Sequence, residues 1–157
     1  TIYCDMDMVL CNFLKGAEEV LGVPFPQADK RTKWPMISAK KDFWESLEWM
    51  PGAKKMWSFI SKYDPHILSA YSTKDANSRK GKMNWLRTNA KLTQKSRIHL
   101  VMREDKQKYA MTTDGKPNLL IDDYIKNVNE WKAKGGIGVH HTSPSDTIAQ
   151  LKRLGFK

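Results

Sequence analysis

Cysteine is scarce in this chain. Cys4 and Cys11 are the only two, too few and wrongly spaced for a disulfide framework or a zinc site. That points to a reducing compartment, and the chain is expected to be cytoplasmic. Long apolar runs are missing too: no segment approaches the ~20 residues of a membrane-spanning helix, and none has the form of a signal-peptide core. No membrane partner is expected. A G-x-x-x-x-G-K-[ST] run is also absent. Gly81-Lys82-Met83 and Gly115-Lys116-Pro117 lack the flanking pattern of a phosphate-cradling loop, which disfavours a P-loop kinase. Gly135-Gly136-Ile137-Gly138 lies between a helical and a strand pattern, the reverse of a dinucleotide fingerprint, and reads as a helix stop. Ser69 has no glycine-flanked nucleophile elbow. His140 and His141 have no carboxylate or thiolate at ligand spacing and read as structural.

What is abundant is positive charge. With 27 Lys and Arg against 17 Asp and Glu, the net charge is +10, which favours anionic partners such as nucleotides, nucleic acid or phosphorylated metabolites. The basic residues are scattered in twos and threes, as on solvated helix faces, and a nucleic-acid partner remains an open alternative. A chain of 157 residues, 40% hydrophobic and 28% charged, fits a single globular domain, residues 1–157, with room for one small insertion.

The first apolar run, Ile2-Tyr3-Cys4, ends in two carboxylates spaced by two, Asp5 and Asp7. In an extended strand such residues point to the same side, so both can converge beyond its carboxyl end. Alternatively, one of them caps the following helix, whose apolar face would be Val9, Leu10, Phe13 and Leu14. Residues 12–21 read as an amphipathic helix stopped by Gly22. Pro24, Pro26 and Pro35 break up the basic segment that follows. A short helix over 41–49 and a clearer one over 53–62 are expected, both rich in aromatic residues. Beyond Asp64-Pro65, strands alternate with helices: strands over 66–69, 97–102, 118–123 and 137–140, helices over 77–89, 125–134 and from Ser143 or Ser145 through Leu154. A short helix or turn is expected over 105–111, and a loop over 112–117. Continuous apolar strands alternating with helices predict an α/β fold with a parallel sheet covered on both faces. Such sheets bind ligands beyond the carboxyl ends of their strands.

Three of those strands end in chemistry: Asp5 and Asp7, then Ser69, then Asp122 and Asp123. Convergence of that kind exceeds what helix capping needs. Four carboxylates with a hydroxyl and a nearby lysine make a hard, oxygen-rich site suited to Mg2+. A carboxylate can attack phosphorus, while metal, lysine and hydroxyl neutralise the phosphoryl oxygens. Phosphoryl transfer is the reaction class these residues favour, with Lys82, or Lys80 beside it, reaching back from the helix after Ser69.

The order Asp-x-Asp-x-Val, strand-end Ser, downstream Lys, and Asp-Asp after a buried strand resembles the haloacid dehalogenase-like phosphohydrolases. Within them the chain is most similar to the 5′(3′)-deoxyribonucleotidases, including bacterial and phage relatives. The matching segments are Asp5-Met6-Asp7-Met8-Val9-Leu10, Phe43-Trp44-Glu45-Ser46-Leu47-Glu48-Trp49-Met50-Pro51-Gly52-Ala53, Lys82-Met83-Asn84-Trp85, Arg103-Glu104-Asp105-Lys106 and Leu119-Leu120-Ile121-Asp122-Asp123. Met8 stands where the family usually has Gly, and the loop over 112–118 is longer than usual.

The resemblance implies a three-layer Rossmann-like core with a small helical cap, about residues 12–62, inserted after the first strand. It implies a Mg2+-dependent phosphatase acting on (deoxy)nucleoside monophosphates through an aspartyl-phosphate. The alternatives are a phosphatase of 3′ or 5′ phosphorylated nucleic-acid ends, and a catalytically idle nucleic-acid-binding member of the fold. By the same resemblance, Asp5 is the nucleophile and Asp7 the acid and base. Asp5, Asp7, Asp122 and Asp123 hold the metal, with either of the last two as the direct ligand. Ser69, the adjoining Ala70 and Lys82 bind the phosphoryl group. Arg103 contacts the substrate, and Phe13, Phe43 and Trp44 stack on a nucleobase.

Overall fold

The computed structural model describes residues 1–157. Five parallel strands form one sheet: β1 (Ile2–Cys4), β2 (His66–Ala70), β3 (Ile98–Val101), β4 (Leu119–Asp122) and β5 (Ile137–His140), in the order β3-β2-β1-β4-β5. The chain winds outward from β1 to β3, then crosses back to lay β4 on the other side of β1. The order therefore reverses between β1 and β4, where sheets of this type open a crevice at their carboxyl ends. The central strands β1 and β4 are buried along their whole length, which is why their sequences are unbroken apolar runs rather than alternating ones. The outer strands β3 and β5 are mostly half-buried.

Side-chain alternation divides the core into two layers. Ile2, Cys4, Ile67, Leu119, Ile121 and Val139 join the larger cluster. It is covered by helices α1 (Phe13–Leu21), α2 (Lys33–Ala39), α3 (Ala53–Ser61), α4 (Ser78–Trp85) and α6 (Pro144–Arg153). Tyr3, Leu68 and Leu120 point to the other face. They pack on Ala110, on Tyr109 of a 3₁₀ helix (Arg103–Tyr109) and on Trp131 of α5 (Ile125–Ala133).

Local chemistry explains most boundaries. Asn12 caps α1 through Lys15 N at 3.2 Å, and Gly22 ends it at φ +77°, a left-handed position that suits glycine. Ser143 caps α6 through Asp146 N at 3.1 Å, with Pro144 as its first residue. Two segments depart from the sequence expectation. Residues 41–46 are irregular turns rather than a helix. The following residues spend their backbone on the segment after β1: Asn12 N donates to Glu48 O at 2.8 Å and Met50 N to Leu10 O at 2.7 Å. Conversely, α2 forms across Pro35, which sits in its first turn, where a missing N–H breaks no helical bond. Helix α4 stays regular only to Trp85, then passes into a π turn over Leu86–Ala90 closed by Lys91 at φ +56°.

The segment 12–62 divides between two places. Helix α3 packs against α6 beside the sheet, whereas α1, α2 and the turns over 41–46 gather near the carboxyl ends of β1 and β2. Ser38 Oγ donates to Lys74 O at 3.2 Å, and Trp85 Nε1 to Leu47 O at 2.8 Å.

Candidate active site

Strand register builds the site. Cys4 lies opposite Ile121 on one side of β1 and opposite Ile67 on the other. One residue further on, Asp5 and Asp122 are therefore neighbours across the β1–β4 junction, and Asp5 N donates to Ile121 O at 3.0 Å. Both point to the face covered by the 3₁₀ helix, from which Lys106 Nζ reaches Asp5 Oδ1 at 3.0 Å and Asp122 Oδ2 at 2.9 Å. Ser69 points to the opposite face, where α4 supplies Lys82. Its Nζ lies 2.8 Å from Ser69 Oγ and 2.9 Å from Asp7 Oδ2. Each carboxylate of the opening pair thus has its own lysine, one from each layer, and both lysines are buried. Lys80, the alternative to Lys82, is exposed.

Asp122 is wholly buried and fully used: Oδ1 accepts from Tyr124 N at 2.9 Å, and Oδ2 also accepts from Asn127 Nδ2 at 3.1 Å. Asp123 joins Asp5 and Asp122 in a group whose ligand atoms lie within 4.8 Å of one another. Burial, then the neighbouring carboxylate of Asp5, push Asp122 up to about 6. Burial, then Asp5 and Asp122, push Asp123 up to about 8. Burial lowers the affinity of Lys106 for its proton, but Asp5 and Asp122 outweigh it, and the ammonium is held above its ordinary range. Three carboxylates this close hold more negative charge than one lysine offsets. A hard divalent cation with oxygen ligands fits that donor set. Asp7 Oδ1 is buried without a hydrogen-bond partner, a second polar group whose protein neighbours leave it unsatisfied.

Asp7 also opens onto a cavity of 340 Å³ lined by Phe13, Phe25, Trp34, Trp44 and the loop from Ala70 to Thr73. The ring of Trp44 lies near parallel to Phe13 (27°, centroids 5.5 Å apart) and to Trp34 (17°, 6.4 Å). Its indole N–H donates to the buried Asp75 Oδ2 at 2.8 Å. Lys82 Nζ sits 5.2 Å from the centre of the same ring, so one wall of the cavity touches the phosphoryl-binding lysine. Phe43, expected beside Trp44 as a stacking residue, is instead a core side chain. It is buried edge-on against Phe13 and Trp44 and does not line the cavity. A larger cavity of 720 Å³ lies between α3 and α6 but is lined by no carboxylate, so the chemistry selects the smaller one.

Arg103, expected to contact substrate, is already committed. It donates to Asn127 Oδ1 at 2.8 Å and to Glu130 Oε1 at 3.0 Å, and so braces the asparagine that holds Asp122. Arg103 and Lys106 stand one 3₁₀ turn apart and project from the same side. That phase was the signal for Lys106, which had been quoted in its segment but given no role. Phe25, Trp34 and Asn127 also emerge only from the fold. His140 and His141 play the structural part expected of them: His140 Nε2 lies 3.0 Å from Asp123 O, and His141 Nδ1 lies 2.7 Å from Thr147 Oγ1.

No protein-family model and no curated protein matches the sequence. Among solved structures, a hydrolase from Streptococcus pneumoniae TIGR4 aligns over 98% of this chain and 96% of its own, with a TM-score of 0.56 at 11% identity. A hydrolase from Pseudomonas syringae aligns over 99% and 90%, at 14% identity and a TM-score of 0.47. The first likeness is one of fold. The chain has the three-layer Rossmann-like parallel sheet expected of a haloacid dehalogenase-like core.

Proposed function

We propose that the protein is a Mg2+-dependent phosphatase of (deoxy)nucleoside monophosphates. One observation carries this reading: Asp5 and Asp7, at the strand-order reversal, are held by separate buried lysines beside an aromatic cavity. Two carboxylates kept in different surroundings can take different roles.

Asp5 is the nucleophile. Its carboxylate oxygen bonds to phosphorus as the bond to the leaving nucleoside oxygen breaks, and Asp7 gives that oxygen a proton. Water then attacks the phosphorus, Asp7 takes its proton, and the Asp5–phosphorus bond breaks to release inorganic phosphate. Lys106 orients Asp5, while Lys82 and Ser69 meet the phosphoryl oxygens. Asp5, Asp122 and Asp123, with Asp7, would hold Mg2+, which supplies positive charge against the phosphoryl group when bound.

Helices α1 and α2 and the turns over 41–46 act as the cap. They exclude water and offer the leaving group a wall of Phe13, Phe25, Trp34 and Trp44. A 340 Å³ cavity has the size of small-ligand pockets, about 300–1,000 Å³, and aromatic walls suit a planar base. The test is Mg2+-dependent phosphate release from a panel of mononucleotides, with Asp5→Asn as control. Release abolished by Asp5→Asn is expected. No release, or release untouched by the substitution, overturns the proposal.

A further inference from the structure

A second concavity, of 450 Å³, adjoins the aromatic cavity. It shares Tyr71, Ser72 and Thr73 with that cavity and continues over Lys74, Asp75, Ala76 and Arg79. Three features make it a place for an anion. The Arg79 guanidinium is fixed rather than free, stacked 3.8 Å over the centre of the Tyr71 ring. Neither Arg79 nor Lys74 takes part in any ion pair, so both charges are available. The one carboxylate there, Asp75, is buried and already spent, with Oδ2 accepting from Trp44 Nε1 at 2.8 Å and Oδ1 from Asn77 N at 2.9 Å.

The loop is braced at each end. Ser72 N donates to Ser78 Oγ at 3.0 Å, Lys74 N to Ser72 Oγ at 3.1 Å, and Lys74 O accepts from Ser38 Oγ. A preorganised pair of cations loses little freedom on binding. Its position is equally telling, because the wall it shares with the aromatic cavity begins next to Ser69 and Ala70. Whatever enters this concavity is attached to the group whose phosphate lies at Asp5.

We infer that Lys74 and Arg79 form a subsite for a second phosphate carried by the leaving group, so that the enzyme prefers substrates with two phosphates to simple mononucleotides. This rests on the phosphatase reading and narrows its substrate class. A nucleoside 3′,5′-bisphosphate and the end of a single strand, whose next phosphodiester would lie here, share that chemistry.

The test compares phosphate release from nucleoside monophosphates, 3′,5′-bisphosphates and end-phosphorylated dinucleotides, for the wild type and for Lys74→Gln with Arg79→Gln. Expected is a tenfold or greater kcat/KM advantage for at least one two-phosphate class. The double variant should lose that advantage while keeping its rate on monophosphates. The class that benefits identifies the source of the second phosphate. Equal turnover of all three classes, or an advantage that survives the double variant, overturns the subsite and leaves the phosphatase reading standing. Failure to hydrolyse any of them overturns that reading instead, and the subsite is then decided by binding alone. Anisotropy of a fluorescein-labelled, end-phosphorylated dinucleotide should show tenfold weaker binding to the double variant. The slope of log Kd against log salt should fall by about 1.4, at about 0.7 per lost phosphate contact. Unchanged affinity and slope overturn it.

Discussion

Lys106 Nζ lies 3.0 Å from Asp5 Oδ1, and the same ammonium closes a 2.9 Å contact with Asp122. One buried cation thus ties together the last positions of the two strands between which the sheet reverses. Removing one member of a buried ionic group leaves the others uncompensated, at a cost of about 3–5 kcal/mol. Lys106→Met is therefore expected to destabilise by about that much and to lower phosphate release by about 10²–10³-fold, as for loss of a preorganised catalytic charge. Mg2+ should restore part of the lost stability, because a cation among Asp5, Asp122 and Asp123 replaces the missing charge. Denaturant titrations with Mg2+ and with EDTA measure both. A variant as stable as wild type in EDTA counts against this role for Lys106.

Asp122 and Asp123 bind protons more tightly in the folded chain than in the unfolded one, where a carboxyl titrates near 4. Between the unfolded value and about 6 for Asp122 or about 8 for Asp123, the native state holds the extra proton. Stability from this source therefore falls as pH rises from about 4 to 8. His66, His99 and His141, whose affinities for protons are lowered by burial, act in the opposite sense below about pH 6.5. The informative quantity is thus the difference between wild type and Asp123→Asn. In EDTA, the variant is expected to lose less stability than wild type between pH 5 and pH 8. Mg2+ should raise the wild-type Tm more at pH 8 than at pH 5, since metal ligands must be deprotonated. Melting curves at the two pH values, with and without Mg2+, decide it. A Mg2+ increment independent of pH would contradict this origin of the shifts.

The strands were the legible part of the fold, because a buried parallel strand leaves an apolar run that nothing else in this chain imitates. The cap was less so. Phe43, Trp44 and Leu47 fall at a helical spacing, but residues 48–50 find backbone partners in residues 10–12, and tertiary pairing overrides the local pattern. Pro35 hid α2, since a proline in a first turn looks in sequence like one that breaks a helix. At the site, the residues that end strands could be picked out from where their apolar runs stop. Lys106 could not: it sits among Arg103, Glu104, Asp105 and Lys108. Only the phase of the 3₁₀ helix makes it the buried one.

Met8 holds φ +64° in the turn where Met8 N donates to Cys11 O at 2.8 Å. A left-handed conformation costs a residue with a Cβ roughly 1–2 kcal/mol, which accounts for the glycine of the resembling family at this place. Glycine removes that strain but enlarges the freedom of the unfolded chain. Met8→Gly is expected to stabilise by about 1 kcal/mol net, a rise in Tm of about 2–4 °C for a chain of this size. The weak contact from Leu14 N to Met8 Sδ, at 3.5 Å, is a small loss beside it. Thermal unfolding reads the sign directly, and a fall in Tm would mean that the methionine side chain supports the turn more than its backbone strains it.

Trp34 and Phe43 separate the cavity wall from the core beneath it. Trp34 is half-buried, lines the cavity and stands edge-on to Phe25 at 5.6 Å between centroids. Phe43 is 2% exposed and lines nothing. Stacking of a base on an aromatic side chain is worth about 1–3 kcal/mol. Trp34→Ala is therefore expected to lower kcat/KM for nucleoside monophosphates by about tenfold or more, chiefly through KM, with little change for a small substrate such as glycerol phosphate. Phe43→Ala should instead cost about 3–5 kcal/mol of stability, as for a buried aromatic ring. At temperatures where it stays folded, its ratio of nucleotide to glycerol phosphate turnover should stay near wild type. If Phe43→Ala shifts that ratio as strongly as Trp34→Ala, the base lies against a different wall. If neither does, the leaving group does not enter this cavity.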